Sequence, residues 1–217
     1  MKPEIRVLAE SGYILPPTSV SIYLVTPYAF PETVFLYLVR ERLALDKTDV
    51  LVLSYGEDFD TVLRVSSVQT PLVRSFLELL EEPLVHYRYC DSREELVRRF
   101  ELHYRNSDFI YIYIGDPVAA GDREWLDTLY GFVSKVRTNV TRRFLLTMFI
   151  DIDVERNPWG KRLLYAVDNV FALKEGDFTS GGSLRILKSK MYVKPALNIE
   201  YSVTTTGIDF QILRMLR

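Results

Sequence analysis

The stretch that decides the fold is SIYLVTPYAFPETVFLYLVRERL, residues 21–43. Its first part, Ser21–Val25, is an apolar run of strand length. Its last part belongs to a helical pattern over Thr33–Ala44, and Pro31 lies where proline is favoured at a helix start. A strand that leads through a short turn into a helix is the repeating unit of α/β domains. The stretch therefore predicts a parallel sheet.

The same alternation of strand and helix patterns continues to about residue 173. Continuous apolar runs at 49–55, 108–114 and 143–150 are typical of strands buried on both faces of a parallel sheet. After Gly181-Gly182 the pattern changes to hairpin-like strands. The predicted strands are Ser21–Val25, Asp49–Tyr55, Leu84–Tyr89, Asp108–Ile114, Arg143–Ile150, Asn169–Leu173, Ser183–Met191, Asn198–Thr204 and Asp209–Leu213. The predicted helices are Thr33–Ala44, Asp60–Val65, Leu72–Leu80, Arg93–Tyr104, Asp122–Arg137 and Pro158–Val167.

Composition excludes several classes of site. The 217 residues are 48% hydrophobic and 26% charged, as in ordinary globular proteins, and the net charge is −2. A single cysteine, Cys90, rules out an intrachain disulfide, and two histidines without ligand spacing argue against a zinc site. The net charge gives no support to DNA binding. The apolar runs are too short to cross a membrane, and the N-terminus lacks a signal-peptide core, so we expect a cytoplasmic protein.

The loop Thr26–Thr33 occupies the position of a phosphate-binding loop, G-x-x-x-x-G-K-[ST], between a strand and a helix. In that register the two glycines become Thr26 and Pro31, the lysine becomes Glu32, and only Thr33 fits. Pro31 has no N–H to donate to a phosphate, and Glu32 carries the wrong charge. The pattern therefore predicts no ATP hydrolysis here. An ordinary strand-to-helix loop is the alternative interpretation.

From about residue 14 to residue 212 the chain resembles the RecA-like ATPases, and within them the KaiC/RadA-like branch of archaea. Each matching segment is short, but the segments share the order and spacing of that family. They are Ser19–Thr33 (first strand and phosphate loop), Val50–Asp58 (strand and acidic pair), Ile110–Asp116 (Walker B strand), Leu145–Asp151 (sensor-type strand), Ala166–Leu173, Leu184–Lys190 and Thr204–Ile208.

The resemblance implies a RecA-like three-layer α/β/α fold with a mainly parallel central sheet and antiparallel strands at the C-terminal end, formed by one domain, 1–217. It also implies that Thr33, Glu57 and Asp116 occupy relic nucleotide and magnesium positions. Gly56 replaces the first residue of the acidic pair. Tyr28 and Phe30 are expected to fill the space of the phosphates. Capping of a following helix, or solvation, is the alternative for Glu57 and Asp116.

Two functions follow from the resemblance and its departures. The first is a non-catalytic RecA/KaiC-like accessory or scaffold protein, a pseudo-ATPase without a cofactor, in DNA recombination, repair or signalling. The second is a nucleotide-binding ATPase with a rearranged phosphate loop that binds Mg-ATP weakly. An α/β protein of unrelated role is a third interpretation.

The late strand suggests how such a protein associates. Lys188 and Lys190 are two residues apart and share a strand face, with Arg185 nearby. They are predicted to contact another copy of the chain or a RecA-like ATPase partner. A solvated sheet edge that lysines protect from pairing is the alternative.

Overall fold

The computed structural model describes residues 18–66, 70–139, 144–176, 181–189 and 198–213. Within them the chain forms nine strands and seven α-helices. The strands are β1 (Thr18–Val25), β2 (Val50–Tyr55), β3 (Val85–Cys90), β4 (Phe109–Ile114), β5 (Phe144–Asp151), β6 (Asn169–Glu175), β7 (Gly181–Ser189), β8 (Asn198–Val203) and β9 (Ile208–Leu213). The helices are α1 (Pro31–Asp46), α2 (Phe59–Val65), α3 (Pro71–Glu81), α4 (Arg93–His103), α5 (Val118–Gly121), α6 (Arg123–Asn139) and α7 (Pro158–Ala166), with 3₁₀ turns at Pro27–Ala29 and Ile152–Arg156.

All nine strands belong to one mixed sheet in the order β3-β2-β4-β5-β1-β6-β7-β8-β9. The first six strands in this order are parallel, and β7, β8 and β9 continue the sheet as an antiparallel meander. The predicted α/β class, with a mainly parallel sheet and antiparallel strands at the C-terminal end, is confirmed. The parallel order arises because each helix returns the chain to the same edge of the sheet.

Apolar side chains of the strands alternate between two hydrophobic clusters. One cluster joins strand residues such as Ile22 and Ile112 to the apolar faces of α4, α6 and α7. The other joins the intervening residues, such as Tyr23 and Tyr111, to α1, α2 and α3. Helices therefore cover both faces of the parallel part of the sheet.

Helix α1 is buried on nearly all sides, because β8 and β9 pack against it as well as the parallel strands. Tyr37 of α1 lies 5.9 Å from Phe210 of β9, ring centre to ring centre. On its other side Phe35 contacts four aromatic rings of α2, β4 and β5. The part of the helix that is enclosed in this way is apolar on every side, which explains the run Val34–Val39.

The predicted elements are all present, although several begin or end at other residues than predicted. Helix α1 begins two residues before its predicted start, because Pro31 itself is its first residue. The short helix α5 was not predicted, since four residues are too few for a periodic pattern. Ser92 caps α4 by accepting the N–H of Glu95 at 3.2 Å. The predicted ends Arg143 and Met191 lie outside the described residues.

None of the helices in the described ranges is both long enough and apolar enough to span a bilayer.

Candidate functional site

The carboxyl ends of the parallel strands form the edge at which α/β proteins bind ligands, next to the point where the connections change direction. Here that point lies between β5 and β1. The connection that leaves β1 runs through α1 on one face toward β2, whereas the connection that leaves β5 runs through α7 on the other face toward β6. The loop Thr26–Thr33 lies at this point.

Several backbone N–H groups of the loop already donate to other groups of the protein. The N–H of Thr26 donates to Leu173 O at 3.2 Å, and the N–H of Ala29 donates to Thr26 O at 3.1 Å. Pro27 and Pro31 have no N–H. Four of the eight loop residues therefore have no backbone donor to offer a phosphate. A phosphate-binding loop needs several such donors aimed at one point.

The expectation that Tyr28 and Phe30 fill the phosphate space stays a prediction, and the structure shows only which side chain of the turn is buried. Tyr28 is 72% exposed and Phe30 is 36% exposed, so both side chains extend toward solvent. Ala29 is the buried residue of the turn. The reason is the backbone: a 3₁₀ turn over Pro27–Ala29, followed by Phe30 in the left-handed region at φ 49°, turns the small side chain inward.

A tyrosine of the antiparallel meander forms a hydrogen bond to the loop. The Tyr201 hydroxyl of β8 donates to Ala29 O, a contact that joins residues 172 positions apart. Burial raises the pKa of Tyr201, so its hydroxyl remains a donor at neutral pH. This contact fixes the turn against the sheet.

The first turn of α1 holds an internal anion. The Tyr113 hydroxyl at the end of β4 donates to Glu32 Oε1 at 2.5 Å. Burial, together with the charge of Glu32, raises the pKa of Tyr113, so this hydroxyl also keeps its proton. A carboxylate near a helix N-terminus is stabilised by the helix dipole. Glu32 therefore places its own negative charge at the start of α1.

Glu57 lies close enough to Glu32 for the two charges to interact. Partial burial, and then repulsion from Glu32, raises the pKa of Glu57 above its ordinary value. No cation among the described residues contributes to that shift. The site is therefore acidic at neutral pH.

Replacing Glu57 with glutamine is expected to raise the melting temperature at pH 7. The folded state holds the Glu57 proton more tightly than the unfolded state does, so its ionised form opposes folding above the folded-state pKa. The gain should shrink as the pH falls through that pKa, and it should vanish below the unfolded-state value near 4.3. Thermal melts of both proteins between pH 3 and pH 8 measure it. An equal difference at every pH would contradict the assignment.

Gly56 is required by geometry, which explains why no acidic residue stands there. Its φ is 82°, in the left-handed region, and a Cβ atom would lie 2.8 Å from the backbone nitrogen of Asp116. A glutamate or aspartate at position 56 would have a strained backbone, and its Cβ atom would clash with Asp116. The tight contact between the β2 and β4 ends thus excludes the first member of the acidic pair.

Asp116 acts at the start of α5. Its Oδ1 accepts the N–H of Val118 at 2.9 Å, and its carbonyl accepts the N–H of Ala119 at 3.1 Å. Burial and then the nearby Asp116 carboxylate raise the pKa of the Tyr55 hydroxyl. Of the three residues predicted to occupy relic nucleotide and magnesium positions, Glu57 and Asp116 follow neighbouring strands, and Thr33 lies in the first turn of α1. Among the described residues, no hydrogen bond joins Thr33 to either carboxylate.

Within the described ranges, no three His, Cys, Asp or Glu side chains lie together in an arrangement that could hold a metal ion.

The predicted interface residues differ in their surroundings. Arg185 is exposed on β7. Lys188 is instead turned against the C-terminal end of α7, where its Nζ donates to the carbonyls of Leu164 (3.1 Å), Tyr165 (2.9 Å) and Val167 (2.5 Å). A cation at a helix C-terminus satisfies carbonyls that have no partner in the helix. Lys190 lies outside the described residues.

Comparisons with known proteins identify no relative: no model of a protein family matches the chain, and no curated protein matches it.

Sequence reasoning missed Tyr113 and Tyr201 as parts of the site. Tyr111 and Tyr113 are two residues apart on β4, and both rings contact Phe35 of α1. The hydroxyl contacts could not be read from a pattern, because they join Tyr113 to Glu32 and Tyr201 to Ala29 across distant parts of the chain.

Proposed function

We propose that this protein is a RecA-like scaffold that has lost ATP hydrolysis. In this proposal it has the three-layer α/β/α arrangement of that family. It acts beside a competent RecA-like ATPase, or with copies of itself, in a process such as DNA recombination, repair or signalling. The observation that carries the proposal is the internal anion at the switch point, where Glu32 occupies the start of α1.

The positions of the family-like segments support the fold part of the proposal. Segments that resemble the phosphate loop, the Walker B strand and the sensor-type strand lie on β1, β4 and β5. These three strands are neighbours in the sheet, in the order β4-β5-β1. Residues that end the strands therefore meet at one edge.

The charge at that edge supports the loss of activity. Each pair of unit charges 4 Å apart contributes about 4 kcal/mol at an effective dielectric constant of roughly 20. A triphosphate would meet Glu32 and Glu57 in place of a lysine, and repulsion of this size outweighs the few backbone donors left in the loop. Catalysis of phosphoryl transfer depends on neutralising that charge.

The hydrolysis part is tested with Mg-ATP. We expect calorimetry to give no binding tighter than about 10 μM, or about −7 kcal/mol, and a phosphate-release assay to give no turnover. The Glu32→Lys variant should not restore activity, because Pro27 and Pro31 still lack donors.

Release of phosphate that disappears in Asp116→Ala would overturn the proposal and favour the ATPase with a rearranged loop. Asp153→Ala is the matched control, because Asp153 lies near the same edge, is exposed and pairs with Arg156 at 2.9 Å. Loss of release in Asp116→Ala alone would assign the activity to this chain rather than to a contaminant.

The scaffold part is tested by the state of association. Sedimentation at high concentration should show a dimer or a larger assembly, or the chain should bind a purified RecA-like ATPase. In either case Arg185→Glu should weaken the contact. Arg156→Glu, at a side chain 85% exposed, is the control. A strict monomer that binds no such ATPase would contradict the scaffold role while leaving the ATP result intact.

A further inference from the structure

A row of cationic side chains lies where β3, the end strand of the described sheet, meets α4. His86 and Arg88 are two residues apart on β3, so they share one face of the strand. That face is the one that α4 covers, because Cys90, two residues further along, is buried in the same cluster as Leu96 of α4. His86 is partly exposed and Arg88 is exposed beside the helix.

Helix α4 contributes the other half of this row. Glu101 pairs with Lys135 of α6, which identifies the side of α4 that faces α6. With 3.6 residues per turn, Arg99 and His103 lie one turn apart on the opposite side, toward β3. The four side chains His86, Arg88, Arg99 and His103 are called the cationic strip.

The members of the cationic strip lie close enough to act on one another. Partial burial, and then the charges of Arg88, His86 and Arg99, lower the pKa of His103. No carboxylate among the described residues contributes to that shift. The potential at this place is therefore positive, although the whole chain has a net charge of −2.

Two carboxylates face the cationic strip without neutralising it. His86 Nε2 lies 3.2 Å from Asp49 Oδ1, and Glu95 Oε1 accepts from the guanidinium of Arg99 at 3.2 Å. Solvent-accessible pairs of this kind contribute little, so a phosphate can compete with them. Arg88 has no carboxylate partner among the described residues, and its Nη1 donates to the preceding backbone carbonyl at 2.6 Å.

We propose that the cationic strip binds the phosphodiester backbone of a single-stranded nucleic acid. Its two members on β3 are about 7 Å apart along the strand, and its two members on α4 are about 6 Å apart along the helix axis. Cations repeated in this way on an open surface can follow a chain of phosphates, and arginine is well suited to phosphate oxygens. Contacts to the backbone alone carry no sequence preference.

The cationic strip is separate from the acidic site at the carboxyl edge. His86 lies beside Leu51 in the register of β2 and β3, whereas Glu57 lies beyond Tyr55, the last residue of β2. Four residues of strand, or about 13 Å, separate Leu51 from Tyr55. Charges further apart than a Debye length of about 8 Å are largely screened. The inference goes beyond the scaffold function and does not depend on it.

Fluorescence anisotropy with a labelled oligothymidylate tests the proposal in the full-length chain. At about 50 mM salt we expect a dissociation constant in the range of about 10⁻⁴–10⁻⁶ M. The two arginines predict a slope of roughly −1.4 for log K against log salt at pH 8. Protonation of both histidines at pH 5.5 should strengthen binding and steepen the slope toward roughly −2.8. A single-stranded RNA and a DNA duplex in the same assay distinguish the source of the backbone.

Two variants should change the affinity in opposite directions. Arg88→Gln should weaken binding about eightfold at 50 mM salt, because one phosphate contact is lost. Glu95→Gln should strengthen it, because Glu95 Oε1 accepts from both Arg98 and Arg99 and loses its charge. Arg156→Gln is the matched control, at a side chain 85% exposed that follows β5, and it should leave binding unchanged. Circular dichroism confirms that each variant is folded.

NMR titration of the histidines gives a second readout, because the chain has only two of them. Bound oligonucleotide should raise the pKa of His103, and Arg88→Gln should raise it in the free protein by removing one of the charges that lower it. Three outcomes overturn the proposal: no binding at 50 mM salt and pH 5.5, equal losses in Arg88→Gln and Arg156→Gln, or binding to vesicles of anionic phospholipid with none to nucleic acid. The last result would assign the cationic strip to a lipid surface.

Discussion

Replacing Gly160 with alanine is expected to lower the melting temperature by about 10 °C, whereas the same substitution at Gly131 should raise it by about 2 °C. A Cβ atom at position 160 in α7 would lie 2.0 Å from the carbonyl oxygen of Val154 and 2.9 Å from its carbonyl carbon. Both are backbone atoms of the 3₁₀ turn Ile152–Arg156, so neither can rotate away as the end of a side chain could. Overpacking of this kind costs about 3 kcal/mol.

Gly131 in α6 is the matched control for this prediction. A Cβ atom there meets nothing within 4 Å, so alanine adds no clash. It should instead stabilise the helix by about 0.5–1 kcal/mol, because glycine loses more backbone freedom on folding. Thermal unfolding followed by circular dichroism compares the two variants. Shifts of the same sign would show that α7 does not pack on the Ile152–Arg156 turn as described.

Much of the fold could be predicted because its strongest signals are local. The run Phe109–Ile114 is apolar at every position, and every residue of it is buried in β4. The change of pattern after Gly182 was likewise sufficient to place the antiparallel strands. Helix α5 and the two 3₁₀ turns escaped prediction because they contain three to five residues each and have no period.

The candidate site was predictable in position but not in detail. The place of Thr26–Thr33 between β1 and α1 follows from the alternation of elements, and its lack of glycine and lysine is visible in the sequence. Which side chain enters the turn depends on backbone angles. Phe30 at φ 49° is a conformation that non-glycine residues seldom adopt, so the inward turn of Ala29 had no sequence signal.

Long-range contacts decide the electrostatics of the site and lie beyond pattern reasoning. Glu32 was recognised as a charge reversal, but its donor Tyr113 is 81 residues away. Burial raises the pKa of Glu57 most, and the further contribution from Glu32 depends on how α1 is set against the end of β2. Only the packing of α1 brings these groups together.

The packing of α1 also predicts a large loss of stability when Phe35 is truncated. Phe35→Ala is expected to destabilise the protein by about 3–5 kcal/mol, which corresponds to a fall of roughly 10 °C in melting temperature for a chain of this size. Phe35 is fully buried. Its ring centre lies 5.1 Å from that of Phe149 and 5.4 Å from that of Tyr113, in edge-on geometry. The substitution removes both contacts and leaves a cavity under α1.

Phe35→Leu is the control, because it keeps most of the volume and should cost less than about 1.5 kcal/mol. The loss of the Phe35 ring should also alter the candidate site. Loss of the ring loosens Tyr113, whose hydroxyl holds Glu32, so the interaction between Glu32 and Glu57 should weaken and the pKa of Glu57 should fall toward its ordinary value. Titration by NMR of labelled glutamate measures this in Phe35→Ala and Phe35→Leu. An unchanged Glu57 titration in a Phe35→Ala protein that is clearly destabilised would mean that the acidic site is held by other contacts than the aromatic packing of α1.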